Sequence, residues 1–225
     1  MISLICPAWN AEATLADTLG SVAAQRLSVD EIIVVDDGSA DATAEIAAAG
    51  GARVLRQARH GPAAALNAGI AASRGDLLAF LDADDLWPPD KLALQTRILT
   101  EDPTLDGVLG LVDCFLCPSV PKSEAGRYAI APAPMAAWLS GALLVRRARF
   151  AAVGNFDPEM AGGFFIDWCD RARRAGLCFA LPRQIVLHRR IRPGSLSHRS
   201  AERDAGYTKM ALAAIARRRR AAETA

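Results

Sequence analysis

The feature that most constrains the fold is an alternation of short apolar runs with segments of helical periodicity. One run, at residues 32–35, is an uninterrupted stretch of β-branched side chains, which is typical of a strand covered on both faces. Strands that alternate with helices of roughly ten to fifteen residues indicate βαβ units. We therefore predict a single α/β domain, a Rossmann-like, mostly parallel sheet with helices on both faces. The first predicted strands are residues 2–6, 32–35, 53–55 and 77–81.

Turn-forming residues mark the ends of the predicted helices. We expect Asn10 to cap the turn before the first helix and Ser39 to cap the second, because both side chains accept hydrogen bonds from helix N-termini. Gly50 ends the second helix, Pro62 begins the third, and Gly75 caps its end. The same signals predict two later strands and a helix, at residues 141–145, 185–187 and 166–175.

Charge is unevenly distributed in the 225-residue chain, although its formal net charge is only +1. Residues 1–145 carry 9 basic and 18 acidic side chains, whereas residues 146–225 carry 17 basic and 7 acidic ones. No stretch of about 18 apolar residues is present, and the N-terminus has neither a basic segment nor a long apolar one. We therefore expect a cytoplasmic protein without a membrane span.

The five cysteines do not suggest a disulfide framework, because their number is odd and they are scattered. Cys114 and Cys117 have the C-x-x-C spacing of a zinc site, but no second pair has matching spacing. Buried thiols are the favoured alternative. The glycine-rich signatures of dinucleotide-binding and P-loop proteins are also absent from the sequence.

Two acidic clusters directly follow predicted strands. Asp36 and Asp37 come after the second strand, and Asp82, Asp84 and Asp85 come after the fourth. Because ligands of such sheets bind beyond the carboxyl ends of the strands, we expect these carboxylates to converge on one site. Their mutual repulsion favours a divalent cation, and their oxygen ligands favour Mg²⁺ or Mn²⁺ bound with a substrate diphosphate. The alternative is that the aspartates cap helices and form turns.

The order and spacing of several segments resemble the family 2 glycosyltransferases, which have the GT-A fold. The segments are ICPAWNAEATLADTLGSV, EIIVVDDGSADAT, GPAAALNAGIAASRGDLLAFLDADD and LWPPDKL. This resemblance covers about the first hundred residues, and a looser one continues through GALLVRRARFAAVGNFD, DWCDRARRAG and VLHRRIRPGSLSH. It implies four parts: a nucleotide-sugar-binding half (1–113), a connecting loop (114–134), an acceptor-side half (135–200), and a C-terminal helix with a basic tail (201–225).

The resemblance also implies roles for residues of the first half. A first loop lies beside the donor nucleotide, where the flat ring of Trp9 suits a base, and Asp36 or Asp37 contacts the base and ribose. The implied donor-binding residues are Pro7, Trp9, Asn10, Asp36, Asp37, Asn67, Asp82 and Arg192.

Asp82-Ala83-Asp84 matches the DxD motif of the family. The resemblance implies that Asp82 faces the ribose or the metal and that Asp84 holds the cation bridging the diphosphate. Such a cation, Mn²⁺ or Mg²⁺, neutralises the charge that grows on the departing nucleoside diphosphate. A base must also remove the proton of the acceptor hydroxyl. The expected reaction is inverting transfer of one sugar.

The base is the point at which the sequence departs from its relatives. Phe164-Phe165 stands where the family commonly has an acidic pair, and phenylalanine cannot accept a proton. Asp167 is the best remaining candidate for the base, with Asp170 one helical step away. The alternative is that they form helix-surface salt bridges with Arg171 or Arg174.

Two further positions depart from the family pattern. Leu66 stands where the family often has arginine. Arg192 stands where the family frequently has a histidine after the HRR-type run. Arg192 can still contact a diphosphate, because a guanidinium offers paired donors, but it cannot ligate a metal. His188 and His198 are the weak alternatives for that role.

The remaining signals bear on partners. Arg217 and the arginines that follow it through Arg220 predict a solvated tail or, as the alternative, a peripheral contact with the inner face of a membrane. No nucleic-acid-binding pattern is present. The QxxRW motif and membrane helices of processive synthases are absent from the sequence, which favours a non-processive enzyme with a nucleoside diphosphate sugar donor and an unidentified hydroxyl acceptor. A nucleotidyltransferase and a non-catalytic nucleotide-sugar-binding relative are the rival interpretations.

Overall fold

The structure is a computed structural model that describes residues 1–128, 130–160 and 162–193. Several predictions fall on other residues and lie outside this described part. They are the helix and tail of residues 201–225, the end of the acceptor-side half at residues 194–200, His198, and the arginines from Arg217 to Arg220.

Strands and helices alternate along the first half, as predicted. The strands are β1 Ile2–Ala8, β2 Glu31–Asp36, β3 Arg53–Arg56, β4 Leu77–Phe80, β5 Gly107–Val108, β6 Leu111–Leu116, β7 Met135–Ala136, β8 Leu144–Arg146, β9 Phe179–Ala180 and β10 Ile185–Ile191. The helices are α1 Leu15–Ala23, α2 Thr43–Ala49, α3 Pro62–Ala72, α4 Lys91–Glu101, α5 Arg147–Val153 and α6 Phe164–Arg174.

The strands form two sheets. The larger has seven strands in the order β3-β2-β1-β4-β8-β5-β9, and the smaller has the order β10-β6-β7. In the larger sheet β8 runs antiparallel to β4 and β5, whereas the other neighbours are parallel. This confirms the predicted α/β fold with a mostly parallel sheet.

Side chains of β2 show why helices cover both faces of the sheet. Ile33 and Val35 point to one face and pack with Ala65 of α3. Val34 points to the other face and packs with α1 and α2. Because successive side chains of a strand alternate in direction, a run of β-branched residues requires apolar cover on each side.

An aromatic cluster anchors the second half of the chain to the sheet. The rings of Phe150 and Trp168 stack with centroids 4.8 Å apart. Phe156 packs edge-on against Trp168, and Phe80 packs edge-on against Phe156. Trp168 Nε1 donates to the Gly154 carbonyl at 3.0 Å. Trp168 is thus a fully buried core residue, and its packing fixes α6 against the sheet.

The predicted caps at Asn10 and Ser39 are wrong. The residues at the N-cap positions of α1 and α2 are Thr14 and Ala42. Asn10 donates its backbone N–H to Ser39 Oγ at 2.9 Å, and its side-chain oxygen accepts from the Ala40 N–H at 2.9 Å. The two side chains therefore join the loops after β1 and β2 instead of capping the helices that follow.

Gly75 is also not the cap of α3, which ends at Ala72 with Ser73 in the C-cap position. It lies where the chain passes close to β1, and a Cβ at this position would be 2.7 Å from the Ser3 backbone nitrogen. The glycine is required by this close approach of two backbones.

The later boundaries differ from the prediction. The strand predicted at residues 141–145 is replaced by a short 3₁₀ turn, Ser140–Ala142, and by β8, which begins at Leu144. The strand predicted at 185–187 extends to Ile191. Helix α6 begins two residues before the predicted start, and α4, α5 and β6 were not predicted.

Candidate active site

A cavity of about 440 Å³ lies at the carboxyl ends of the central strands. Because β2, β1 and β4 are neighbours in the sheet, the loops that follow them meet at one edge. The predicted site residues that line this cavity are Pro7, Trp9, Asn10, Asp37, Asp82, Asp84 and Arg192. Asp85, the third residue of the second acidic cluster, also lines the cavity. The lining residues that the sequence analysis did not select as site residues are Arg59, Phe164, Arg189 and Arg190.

Asp37 organises the loop after β3. Its carboxylate accepts hydrogen bonds from Gln57 Nε2 at 2.7 Å, the His60 N–H at 2.9 Å and the Gly61 N–H at 2.8 Å. This buried carboxylate thereby fixes the loop that begins α3 and forms part of the cavity wall. The role of Asp37 therefore fits the alternative of a turn-forming aspartate better than that of an aspartate that binds a cation.

Two predicted donor-binding residues are not part of the cavity lining. Asp36 is buried, and its Oδ1 accepts from the Ser39 N–H at 2.9 Å. The Asn67 amide bonds with the backbone of Phe156, donating to its carbonyl at 2.9 Å and accepting from its N–H at 3.1 Å. The prediction that they contact the donor is therefore not supported, because both side chains are engaged in holding loops.

The acidic cluster after β4 is partly neutralised by the strand that ends beside it. Arg192 Nε donates to Asp84 Oδ2 at 2.8 Å, and the Arg190 N–H donates to Asp85 Oδ1 at 2.8 Å. Burial and the nearby Asp84 charge together raise the pKa of Asp82 to about 6, against the opposing effect of Arg189. Burial also raises the pKa of Asp85. The carboxylates of this cluster therefore repel one another in a poorly solvated setting.

Asp82 and Asp84 fit a divalent cation that shares its coordination with a bound diphosphate. Within the described residues, no group of three or more His, Cys, Asp or Glu side chains can hold a metal ion. Mg²⁺ in proteins, however, often binds through one or two carboxylates together with phosphates and water. The raised pKa of Asp82 indicates like charges in a poorly solvated setting, which a cation would relieve.

Arginines supply positive charge around the cavity. Arg189, Arg190 and Arg192 come from the end of β10, and Arg59 comes from the loop after β3. The Arg59 guanidinium lies 3.3 Å from the centre of the Trp9 ring, a cation–π contact at the cavity wall. The basic run HRRIR could have indicated Arg189, Arg190 and Arg192 as site residues, whereas no feature of the sequence indicates Arg59.

The two candidate bases do not lie in the cavity. Asp167 is buried and pairs with Arg171 at 2.9 Å, and Asp170 pairs with Arg174 at 2.9 Å. Both pairs have i,i+4 spacing on α6, so the salt-bridge alternative is the one observed. Phe164, from the position of the missing acidic pair, lines the cavity instead.

We expect Asp167→Asn to lower the stability of the protein rather than its ligand affinity. Arg171 also donates to the carbonyls of Val153 and Asn155, so the buried pair joins α6 to the end of α5. Losing its negative partner should cost about 2 kcal/mol. Chemical denaturation measures this change.

Asp170→Asn is the matched control, because that carboxylate is more exposed and its ion pairs with Arg173 and Arg174 run along the helix surface. Its expected cost is below about 1 kcal/mol. Loss of sugar transfer in Asp167→Asn at unchanged stability would instead support the predicted base.

The described cysteines and His188 show no metal cluster. All five cysteines are free, and no metal-binding group that includes Cys114 or Cys117 occurs in the described part of the chain. His188 Nδ1 lies 3.5 Å from Asp113 rather than from the acidic cluster. The sequence alternatives of a zinc site and of metal ligation by His188 therefore gain no support.

Comparison with known proteins identifies the family. The family model described as glycosyl transferase family 2 matches residues 3–152, which is more than half of the chain. The chain belongs to glycosyltransferase family 2. An uncharacterized glycosyltransferase of Nostoc sp. is 41% identical over 97 residues, covering 40% of this chain and 30% of that protein. The aligned part spans less than a third of the length of the first curated relatives.

Solved structures of other proteins share the fold. The mannosyltransferase PcManGT from Pyrobaculum calidifontis, in complex with GDP-Man and Mn²⁺, matches with a TM-score of 0.72 at 22% identity, over 95% of this chain and 64% of that one. TarS 1–349 of S. aureus, in complex with UDP-GlcNAc, matches with a TM-score of 0.70 at 21% identity, over 88% and 60% of the two chains. These matches confirm the GT-A fold.

None of the helices in the described residues has the length and apolar character needed to cross a membrane.

Proposed function

We propose that the chain transfers one sugar from a nucleoside diphosphate sugar to an acceptor hydroxyl, with the help of Mn²⁺ or Mg²⁺ and with inversion at the anomeric carbon. The observation that carries the proposal is one cavity in which Asp82 and Asp84 face the Trp9 loop and the arginines of β10. Family membership favours this reaction over nucleotidyl transfer.

The cavity has separate features suited to the two parts of a donor. The wall formed by Trp9 and the loop that Asp37 organises provides an aromatic face for a base. Arg189 and Arg192 provide guanidinium donors for a diphosphate. Two related structures hold donors of this class, GDP-Man in the mannosyltransferase and UDP-GlcNAc in TarS, which supports a nucleoside diphosphate sugar as the ligand here.

The acidic pair has the role of holding a cation against the diphosphate. Asp84 and Asp82 would hold it, and the bound cation stabilises the charge that develops on the leaving nucleoside diphosphate. Asp85 positions the strand end that carries the arginines, since it accepts the Arg190 N–H. Phe164 gives the cavity an apolar wall beside the charged groups, which excludes water from the reacting centre.

A second candidate function is nucleotide-sugar binding without transfer. It is favoured by one observation: Asp167 and Asp170 are ion-paired on α6, while a phenylalanine lines the cavity. Incubation with a panel of nucleoside diphosphate sugars, Mn²⁺ and hydroxyl acceptors, with detection of released nucleoside diphosphate, separates the two. Release above the spontaneous rate supports the enzyme, and binding without release supports the alternative.

Trp9→Ala should weaken the binding of a nucleoside diphosphate about tenfold, because stacking of a base on an aromatic ring contributes roughly 1–3 kcal/mol. Calorimetric titration with UDP or GDP measures the change. Trp138→Ala is the control, since this exposed tryptophan does not line the cavity. Equal effects of the two substitutions would contradict the assignment of Trp9 to the base.

A further inference from the structure

The position of Arg192 is fixed by the backbone rather than by a flexible loop. Leu86 and His188 form a two-bond bridge, with N–H to carbonyl distances of 2.9 and 2.8 Å. Arg190 Nε donates to the Asp84 carbonyl at 2.8 Å. The acidic segment after β4 and the end of β10 are thus joined at several points, and Arg192 follows directly after β10.

Arg192 holds the carboxylate to which the proposed function assigns the cation. Its Nε lies 2.8 Å from Asp84 Oδ2, and the two side chains are 31% and 20% exposed. A charge-assisted hydrogen bond in such a half-buried setting is stronger than an exposed one. A divalent cation on the same carboxylate would stand next to the guanidinium, and the two positive groups repel each other.

Space for the Arg192 side chain lies on two sides. Arg192 lines the active-site cavity and also a neighbouring cavity of about 450 Å³, whose walls include Thr14 and Ser119. Arg190 also lines both cavities, but it is buried and its guanidinium donates to Asp17 at 3.0 Å. The Arg192 guanidinium therefore has cavity space on either side of its contact with Asp84, whereas the Arg190 guanidinium is held between Asp17 and the Asp84 carbonyl.

We propose that Arg192 competes with the divalent cation for Asp84. The guanidinium neutralises Asp84 when no cation is bound, and cation binding transfers it to the diphosphate of the ligand or towards the neighbouring cavity. This inference rests on the proposed function, because it assumes that Asp84 holds a cation. It makes Arg192 a positioning residue with opposite effects on the two ligands of the site.

Removal of the Arg192 charge tests the competition. Arg192→Gln should bind Mn²⁺ alone about tenfold more tightly than the native chain, because no guanidinium has to be displaced. The same variant should bind UDP or GDP about tenfold more weakly at saturating Mn²⁺, because it has lost a diphosphate donor. Electron paramagnetic resonance of free Mn²⁺ measures the first affinity, and calorimetry measures the second.

Two further variants keep the test sharp. Arg189→Gln removes an equal charge from the same cavity wall and should tighten Mn²⁺ binding less than about threefold, because no hydrogen bond from Arg189 to Asp84 is seen within the described residues. Arg192→Lys keeps a charge but loses the directed Nε–H, and should bind Mn²⁺ more tightly than the native chain, by a smaller factor than Arg192→Gln. If the glutamine variant does not fold in a thermal melt, this gain over the native chain carries the test, and an unchanged or weaker Mn²⁺ affinity in Arg192→Lys overturns the competition.

The outcomes separate the inference from the function on which it rests. An unchanged or weaker Mn²⁺ affinity in Arg192→Gln overturns the competition, and so does an equal increase of Mn²⁺ affinity in Arg189→Gln. In either case, nucleotide binding by the native chain leaves the proposed function standing. Absence of Mn²⁺ binding by the native chain and by both Arg192 variants overturns both the inference and the metal-dependent part of the function.

Discussion

Asp84→Ala is expected to lower sugar transfer about a thousandfold, because it removes the carboxylate that holds the cation against the diphosphate. Metal ions contribute several kcal/mol of charge stabilisation to such reactions, and each 1.4 kcal/mol corresponds to about a factor of ten in rate. Among the residues that the structure describes, the half-buried Asp84 carboxylate accepts a hydrogen bond from Arg192 alone, so its loss should leave the fold intact. Release of nucleoside diphosphate from the donor measures the change.

Asp90→Asn is the matched control for this prediction. Asp90 belongs to the same segment between β4 and α4, but its exposed carboxylate pairs with Arg26 at the surface. Transfer by Asp90→Asn should stay within about twofold of the native rate. Native transfer by Asp84→Ala in a correctly folded protein would contradict the metal assignment.

Lys91→Met is expected to change the pH dependence of stability, because Lys91 is a buried cation. Its Nζ donates to Gln95 Oε1 at 2.7 Å and lies 4.4 Å from the centre of the Trp87 ring. Burial lowers the pKa of Lys91 to about 7, against 10.5 in the unfolded chain. Between these values the unfolded state binds more protons than the folded state, so the contribution of Lys91 to stability rises with pH.

The size of this effect follows from the two pKa values. From about pH 6 to about pH 9 the Lys91 contribution should rise by about 3 kcal/mol, and this rise should be absent in Lys91→Met. At about pH 6 the variant should be the more stable protein, by about 2 kcal/mol, since the loss of one hydrogen bond to Gln95 offsets part of the gain. Chemical denaturation at several pH values measures both quantities.

The exposed Lys122 provides the control for Lys91. Lys122→Met should have the same pH profile of stability as the native chain, because the Lys122 side chain is exposed to solvent rather than buried. A native pH slope retained in Lys91→Met would show that another group causes it.

The acidic pair after β4 could be predicted because its position depends on short-range pattern and on strand topology. A buried apolar run followed at once by Asp82 and Asp84 places both carboxylates at the carboxyl edge of a parallel sheet, wherever the rest of the chain goes. The helix start at Pro62 was predictable for a similar reason, since a fixed φ and a missing N–H favour the first helical turn.

Other assignments failed because they depend on long-range contacts. The direction in which Asp167 points is determined by the aromatic core around Trp168, and the engagement of Asn67 depends on Phe156, which lies 89 positions along the chain. Lys91 becomes buried only because the segments containing Trp87 and Gly141 meet above it. Periodicity and motif spacing do not contain this information.

For Arg192, contact with a diphosphate stays a prediction, whereas its position in the structure can be described. The sequence predicted a guanidinium near the diphosphate, and the structure places Arg192 in the cavity wall. Its pairing with Asp84 could not be predicted. The pairing arises from the bridge between Leu86, in the segment after β4, and His188 of β10. The pairing is the origin of the proposed competition with the cation.

Calorimetric titration of the native chain with UDP, GDP and dTDP, with and without Mn²⁺, tests the central claim most directly. The arrangement of Trp9, Asp82 and Asp84 around one cavity predicts that at least one of these nucleotides binds and that Mn²⁺ tightens its binding. Absence of metal-dependent binding for all three nucleotides would contradict the proposal that this cavity holds a nucleoside diphosphate sugar.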